Sequence, residues 1–340
     1  MSNIYRNTVE KFSGTKIAVV GDLMLDVYLW GEVNRISPEA PVPVVNIRKR
    51  TSCPGGAANV MRNIATCGGN VTAFGAVGDD VSGRELLDKL AELSIDLQGI
   101  VSTGDCRTIE KCRVIAGAQQ LLRADFEDTA ALDEDIQKKI TDRIITLIEN
   151  NEIDAVIFDD YAKGTLSAEM LNGIIPVASA HNVITILDPK PKTGGVPPVK
   201  GLTLLKPNRS EAFALAKVND NGRHLPPAED PELLLAAERI CAEWEPEYLL
   251  ISLASQGMAV FKKGKLLKII PTMAREVFDV SGAGDTVAAV CTAAMAAGCD
   301  AVTAAEIANF AAGVVVGKIG TAPIMKEELI AALNQGDKIS

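Results

Sequence analysis

Short apolar runs recur along the chain, and each run is directly followed by a polar residue or a glycine. The four clearest runs occupy positions 17–20, 155–158, 183–187 and 202–205. The residues that follow them are Gly21, Asp159, Asp188 and Lys206. Strands that are apolar on both faces are typical of a parallel sheet covered by helices on both sides. Ligands bind beyond the carboxyl ends of such strands, where these polar residues would lie.

Between the runs, apolar residues recur with the period of an α-helix. Three such sets predict helices that cover the sheet. They are Ala57, Val60, Met61, Ile64 and Ala65; Ile136, Ile140, Ile144 and Ile148; and Val287, Val290, Cys291, Ala294 and Met295. Near the end of the chain, the apolar segments 258–261 and 266–270 flank a Lys- and Gly-containing turn and predict a hairpin.

Two segments, 27–50 and 106–123, are rich in β-prone residues and lack a helical period. We interpret them as a small separate sheet that lies over the main one. The chain is therefore predicted to be a single α/β domain over 1–340, with a doubly wound, mainly parallel sheet and a small β-sheet lid.

Composition narrows the function. Apolar residues make up 47% of the chain, enough for a large core, and the net charge of −10 disfavours nucleic acid or an anionic membrane as a partner. No apolar run reaches the length of a membrane span, and the first residues show no secretory signal. The seven cysteines include no C-x-x-C pair, and there are only two histidines. We therefore expect a cytoplasmic enzyme with reduced thiols and no histidine-based metal site.

The strongest chemical motif is Asp279-Val-Ser-Gly-Ala-Gly-Asp285, which precedes the last of the three predicted helices. Gly282 and Gly284 allow backbone amides to approach a ligand, and a helix N-terminus favours negative charge. Asp285 could accept a hydroxyl proton while the amides hold a phosphoryl group. An ordinary helix N-terminus with an acidic first turn explains the motif equally well. The third glycine of a dinucleotide fingerprint is missing, which disfavours an oxidoreductase.

A second motif, Gly55-Gly56-Ala-Ala-Asn59, opens the first predicted helix. Its glycines permit close approach of a polar ligand, and the Asn59 amide can both donate to and accept from sugar hydroxyls. A glycine-rich turn before a helix remains the alternative.

Together the two motifs resemble the paired signatures of the ribokinase (PfkB) family of sugar kinases, and the resemblance extends over roughly residues 14 to 330. It implies a ribokinase-like fold and ATP-dependent phosphorylation of a sugar, with Mg²⁺ required and a monovalent cation as a further candidate. It also implies that Asp285 is the catalytic base and that Gly282, Ala283 and Gly284 form the anion hole.

The resemblance extends to the nucleotide side. Asn208-Arg209-Ser210-Glu211 is similar to the family's N-x-x-E motif, which implies a role in placing Mg²⁺, through water, and the nucleotide phosphates. A helix N-cap with its N3 glutamate fits the same spacing. Ser252 to Gly257 resembles the family's nucleotide loop, although Ser replaces Thr and Ala254 replaces Gly. Two further residues, Asn309 and Gly313, resemble the segment that borders the adenine, or else belong to a tightly packed helix. Lys190 is a candidate phosphate ligand or a surface lysine.

Four further segments, 34–45, 111–115, 119–127 and 160–164, resemble one branch of the family. Its kinases phosphorylate the anomeric C1 hydroxyl of D-glycero-β-D-manno-heptose 7-phosphate to the 1,7-bisphosphate, on the route to ADP-heptose and the lipopolysaccharide core. An acidic protein that binds such a substrate needs local positive charge. The candidates that could supply it are Lys111, Arg113, Arg123, Lys163 and Lys190, with Arg35 and Arg123 placed at the 7-phosphate and Asp26 at the sugar hydroxyls.

In many relatives of this branch the kinase is fused to a nucleotidyltransferase, whose H-x-G-H-type motif this sequence lacks, so we expect no such domain here. Lid strands of the family often pair between subunits, so we expect a homodimer. Two rival hypotheses stay open: a family member that phosphorylates another sugar or sugar phosphate, and a sugar- or nucleotide-binding regulator that has lost its chemistry.

Overall fold

A computed structural model of the protein describes residues 2–191, 194–222, 225–274, 277–318 and 320–336. Its main element is a nine-stranded sheet with the order β13-β12-β11-β10-β9-β8-β1-β4-β5. The strands are β1 (Lys16–Gly21), β4 (Asn70–Gly78), β5 (Asp96–Thr103), β8 (Ala155–Asp159), β9 (Ile184–Asp188), β10 (Leu204–Leu205), β11 (Tyr248–Ser252), β12 (Met258–Lys262) and β13 (Lys265–Ile270). Pairing is parallel from β5 to β11 and antiparallel in the terminal hairpin. The predicted mainly parallel sheet is confirmed.

Helices cover both faces of this sheet, and the strand sequences show why. In β1, Ile17 and Val19 pack into one apolar core, whereas Ala18 and Val20 pack into the other. A strand buried on both faces has to be apolar at successive positions. The helices are α1 (Ser2–Glu10), α2 (Ala57–Thr66), α3 (Val81–Glu92), α4 (Glu134–Glu149), α5 (Ala168–Ala180), α6 (Arg209–Ala216), α7 (Pro231–Trp244), α8 (Ala283–Ala296), α9 (Ala301–Val315) and α10 (Lys326–Gly336).

The second sheet has four strands in the order β3-β2-β6-β7. They are β2 (Leu23–Ile36), β3 (Pro43–Gly56), β6 (Ile109–Ala116) and β7 (Gln119–Phe126). Two antiparallel hairpins are joined by the parallel pair β2–β6. The predicted lid segment 27–50 falls within the first hairpin, and segment 106–123 begins three residues before the second hairpin and covers most of it. Strand β2 starts two residues after β1 ends, so the lid extends directly from the carboxyl edge of the main sheet.

Across the described ranges, no helix combines the length and the apolar character that a membrane span requires.

Candidate active site

The polar residues that end the apolar runs meet at one edge of the main sheet. Asp159, Asp188 and Lys206 follow or end neighbouring strands, and the first turns of α2 and α8 face the same edge. The loop after β8 is held there by Asp22, whose carboxylate accepts hydrogen bonds from the backbone amides of Tyr161 (2.9 Å), Lys163 (3.0 Å) and Thr165 (3.1 Å).

Asp285 lies in the first turn of α8 and is 7% exposed. Its Oδ2 accepts a hydrogen bond from Asn59 Nδ2 (2.6 Å), and its Oδ1 accepts one from the Tyr161 hydroxyl (2.8 Å). Burial raises the pKa of Asp285, whereas these two hydrogen bonds and the charge of Lys206 act in the opposite direction. The carboxylate is therefore fixed in position and partly desolvated, as a general base requires.

The orientation of Asn59 is set by a neighbour on the same helix. Asn59 Oδ1 accepts a hydrogen bond from Arg62 Nη2 (2.6 Å), so the Nδ2 group is the one that faces Asp285. Arg62 also donates to the Thr321 carbonyl oxygen. The sequence assigned Asn59 to sugar hydroxyls, and the structure adds a contact with Asp285.

The predicted anion hole adopts a backbone conformation that depends on glycine. Gly282 is the N-cap of α8 with φ +78°, and a Cβ on it would lie 2.7 Å from Asn59 Nδ2. The Ala283 amide donates to the Val280 carbonyl oxygen (3.2 Å). Of the three predicted residues, Gly282 and Gly284 are therefore better placed than Ala283 to bind an anion. The anion-hole role itself stays a prediction.

A cluster of charges lies behind this turn, and sequence analysis missed it. Lys206 is almost fully buried and forms an ion pair with Asp188 (Nζ to Oδ2, 2.7 Å). Asp159 is also buried, and its Oδ2 has no hydrogen-bond partner among the described residues. Burial and the charge of Asp285 raise the pKa of Asp159 well above its ordinary value, and burial raises the pKa of Asp188 to about 6. The signal for this cluster was the polar residue at the end of each apolar run.

On the lid side, Asp26 forms a 2.6 Å ion pair with Arg113, whose guanidinium lies over the Tyr28 ring. Gly55 faces this pair. A Cβ on Gly55 would lie 2.5 Å from Asp26 Oδ2, so any side chain here would displace the Asp26 carboxylate. Gly56 has φ +53° and leads into α2. The motif thus positions both Asp26 and Asn59.

Two of the lysines predicted to bind phosphate lie beside Tyr161, a residue that the sequence analysis did not propose for the site. Lys111 Nζ and Lys190 Nζ each lie 5.7 Å from the centre of its ring. Burial and the charge of Arg123 lower the pKa of Lys111, and within the described residues Lys111 forms no ion pair. Lys190 pairs with Glu211 (3.0 Å).

Three other predicted substrate ligands have different surroundings. Arg123 forms a two-pronged ion pair with Asp125 (2.7 and 2.8 Å), and Lys163 pairs with Glu127 (2.7 Å). Arg35 lies exposed near the outer end of β2, without an ion pair in the part of the chain that is described. In the lid register Arg123 pairs with Arg113, which pairs with Tyr28, seven positions before Arg35 along β2. The shared role of Arg35 and Arg123 at the 7-phosphate stays a prediction.

On the nucleotide side, Asn208 and Glu211 form a capping box at the start of α6. Asn208 Oδ1 accepts from the Glu211 amide (3.0 Å), and Glu211 Oε2 accepts from the Asn208 amide (2.9 Å). Oxygen donors of this kind suit a hydrated Mg²⁺ held mainly through phosphates. The described residues include no cluster of three or more His, Cys, Asp or Glu side chains that would coordinate a metal directly. The magnesium role stays a prediction.

The two residues between them differ in environment. Ser210 is exposed near the start of α6. Arg209 pairs with Asp220 and Asp230, each at 2.8 Å. The Arg209 guanidinium is therefore already paired with two carboxylates.

Of the remaining nucleotide candidates, all except Ser252 contact the segment after β13. Ser252 forms a β-bridge with Asn208, and Gly257 has φ +83°. A Cβ on Gly257 would lie 2.0 Å from the Ile270 carbonyl oxygen. Two candidates on α9 hold the same segment: Asn309 Nδ2 donates to the Pro271 carbonyl oxygen (2.7 Å), and Gly313 packs against Met273. Their adenine contacts stay predictions.

The family of the chain follows from comparison with known proteins. The pfkB family carbohydrate kinase model matches residues 14–328. "Bifunctional protein HldE" of Magnetococcus marinus is 40% identical over 331 residues, which are 95% of this chain and 66% of that protein. The protein of the same name from Helicobacter pylori (strain P12) is 39% identical over 320 residues, which are 94% of this chain and 67% of that protein. The chain thus spans about two thirds of the length of these curated relatives.

Solved structures share the fold at low sequence identity. Phosphofructokinase-2 from Escherichia coli in complex with potassium superimposes with a TM-score of 0.72 at 18% identity, covering 94% of this chain and 98% of that chain. Ribokinase from Arabidopsis thaliana complexed with ribose and ATP gives a TM-score of 0.66 at 19% identity, with the same coverage. These structures confirm the ribokinase-like fold. With a family match over almost the whole chain, the protein belongs to the pfkB family of carbohydrate kinases, which are phosphotransferases with an alcohol group as acceptor.

Proposed function

We propose that this kinase transfers the γ-phosphoryl group of ATP to the anomeric C1 hydroxyl of D-glycero-β-D-manno-heptose 7-phosphate. The products are the 1,7-bisphosphate and ADP, and the product leads to ADP-heptose and the lipopolysaccharide core. The observation that carries the chemistry is the buried Asp285 carboxylate, held by Asn59 and Tyr161 at the N-terminus of α8. The heptose assignment is supported by the relatives named HldE at about 40% identity and by the lid segments described above.

The transfer is direct and in line. Asp285 accepts the proton of the C1 hydroxyl as that oxygen forms a bond to the γ-phosphorus. The bond from the γ-phosphorus to the bridging oxygen breaks, and ADP leaves with the bond's electrons. Amides of Gly282 and Gly284 bind the phosphoryl oxygens while the lid excludes water.

Asn208 and Glu211 would hold a hydrated Mg²⁺ that, when bound, neutralises phosphate charge. Lys190, which pairs with Glu211, lies close enough to this position to bind a nucleotide phosphate. A monovalent cation is a further candidate for the nucleotide side.

The unpaired charge of Lys111 supports a substrate that carries its own anion. Lys111 lies half-buried over the Tyr161 ring, whereas Arg113, Arg123 and Lys163 already pair with carboxylates. A buried or partly buried cation without a partner is costly unless a ligand supplies the opposite charge. Because the Tyr161 hydroxyl reaches Asp285, a sugar that spans this ring would place its hydroxyl at the base and its phosphate at Lys111.

The same proposal includes a cytoplasmic homodimer that forms through the lid strands. Ile36, Val42 and Ile47 are 62%, 52% and 41% exposed on the β2–β3 hairpin, and β3 is an edge strand of the lid sheet. An exposed apolar edge of this kind favours pairing with a second copy.

The test is ADP release with Mg-ATP and the heptose 7-phosphate, beside ribose, fructose 6-phosphate and a control without sugar. Selective turnover of the heptose phosphate is expected. Asp285→Asn should lower kcat by roughly 10²–10⁴, because it removes the base. Asp142→Asn, on an exposed i,i+4 pair of α4, is the matched control and should keep full activity.

Each alternative has its own outcome. Turnover of another sugar would retain Asp285 as base and contradict the heptose assignment. ATP binding without turnover of any sugar would favour the regulator. Near-normal turnover by Asp285→Asn would overturn the base itself.

A further inference from the structure

Lys206 takes no part in the steps assigned to Asp285, yet it lies directly behind them. It follows β10, and its amide donates to the Leu187 carbonyl oxygen of β9 (2.9 Å), so its backbone is fixed in the sheet. Its side chain is 3% exposed and ends in the 2.7 Å ion pair with Asp188. A lysine is rarely buried to this extent without a specific reason.

The Lys206 ammonium lies beside the first turn of α8. A Cβ on Gly284 would lie 3.8 Å from Lys206 Nζ, so the ammonium faces Gly284 across a van der Waals gap. Gly284 itself is exposed toward the site. The fixed charge of Lys206 thus lies next to an amide that would bind the phosphoryl group.

The surrounding charges are mostly negative. Asp159, Asp188 and Asp285 all lie close enough to interact electrostatically with Lys206, and each is largely buried. A phosphoryl group bound here would lie next to these three carboxylates. The 2.7 Å ion pair with Asp188 fixes the Lys206 ammonium among these carboxylates.

We propose that Lys206 supplies the fixed positive charge that stabilises the phosphoryl group during transfer, and that Asp188 positions its ammonium. Lys206 acts through its field from behind Gly284, in a region of low dielectric constant where a preorganised charge is strongest. This inference rests on the proposed phosphoryl transfer but not on the identity of the sugar.

The experiment compares Lys206→Met with the wild type and with Lys200→Met, a matched control whose lysine forms an exposed pair with Glu245. Using the sugar with the highest wild-type turnover, we expect Lys206→Met to lower kcat roughly 10²-fold while both KM values change less than about 3-fold. Lys206→Arg, which retains the charge, should recover part of kcat. Lys200→Met should match the wild type.

A binding measurement separates this role from a structural one and from failure of the proposed function. Mg-ADP alone should bind wild type and Lys206→Met equally, whereas tighter binding in the presence of aluminium fluoride, which mimics the phosphoryl group in transfer, should be lost in the variant. This readout needs no sugar turnover. Unchanged kcat, or unchanged fluoride-dependent binding, would overturn the proposal. If Lys206→Met does not fold, Lys206→Gln replaces it, and loss of folding in both would assign Lys206 a structural role and also overturn the proposal.

Discussion

At the scale of single residues, the site depends on how one carboxylate is held. Asp285 has two hydrogen-bond donors of different kinds, an amide from α2 and a phenol from the loop after β8. Burial and the charge of Asp285 raise the pKa of Tyr161 well above its ordinary value. The phenol therefore remains protonated, and a hydrogen-bond donor, at neutral pH.

Tyr161→Phe should move the acid limb of the pH profile of kcat/KM to higher pH. The Tyr161 hydrogen bond lowers the pKa of Asp285 against the larger effect of burial, so its loss lets that pKa rise further. Because a base works only when ionised, activity is lost as the pH falls through this pKa, and the loss will begin at a higher pH in the variant. We also expect kcat at the optimum to fall about tenfold, the effect of one lost hydrogen bond of about 1.4 kcal/mol to a charged group.

The control is Tyr248→Phe, which removes a phenol that bonds Lys262 on the far edge of the sheet. It should leave the profile unchanged. A Tyr161→Phe profile that superimposes on that of the wild type would show that the phenol does not tune Asp285.

At the scale of elements, the lid and the main domain meet where β3 runs into α2. This junction brings Gly55 against Asp26 on the neighbouring strand, while Asn59 follows one turn later on the helix. One short motif therefore sets the geometry of the Asp26 carboxylate and of Asn59, which donates a hydrogen bond to Asp285. A change in the motif should therefore weaken sugar binding more than nucleotide binding.

Gly55→Ala should raise KM for the sugar about tenfold and leave KM for ATP within about twofold. The added Cβ would lie 2.5 Å from Asp26 Oδ2, so the carboxylate has to move away from Arg113, and a shift of this kind costs about 1–3 kcal/mol. Steady-state kinetics in both substrates measure the two values. Gly14→Ala is the control, since a Cβ there meets no atom within 4 Å. Equal changes in both KM values would mean that the lid does not act on the sugar alone.

At the scale of the whole molecule, the lid leaves apolar residues exposed. If the lid strands pair between copies, sedimentation equilibrium should give twice the 36.0 kDa mass of one chain. Val42→Asp places a charge on this surface and should weaken association at least tenfold. Val81→Asp, on a valine that is 72% exposed on α3, controls for the added charge and should remain dimeric. A wild-type mass of one chain would contradict the lid dimer.

Features that depend on local pattern could be predicted from the amino-acid sequence. Apolar runs such as 17–20 predicted strands buried on both faces, and the spacing in 279–285 predicted a helix N-terminus with Asp285 in its first turn. The resemblance carried by two short motifs was sufficient to predict the family. These features could be predicted because neighbouring residues set the apolar pattern of a strand and the backbone conformation of a glycine turn.

Contacts between side chains that are distant in the sequence depend on the tertiary structure. Asn59 and Tyr161 lie 226 and 124 positions from Asp285 in the chain, and their contact depends on the order of the strands in the sheet. The Lys206–Asp188 pair and the turning of Arg209 toward Asp220 likewise follow from which strand ends and loops are neighbours. No local pattern encodes these pairings, because a hydrogen bond or an ion pair needs atoms within about 3–4 Å, and only the packed sheet brings those atoms together.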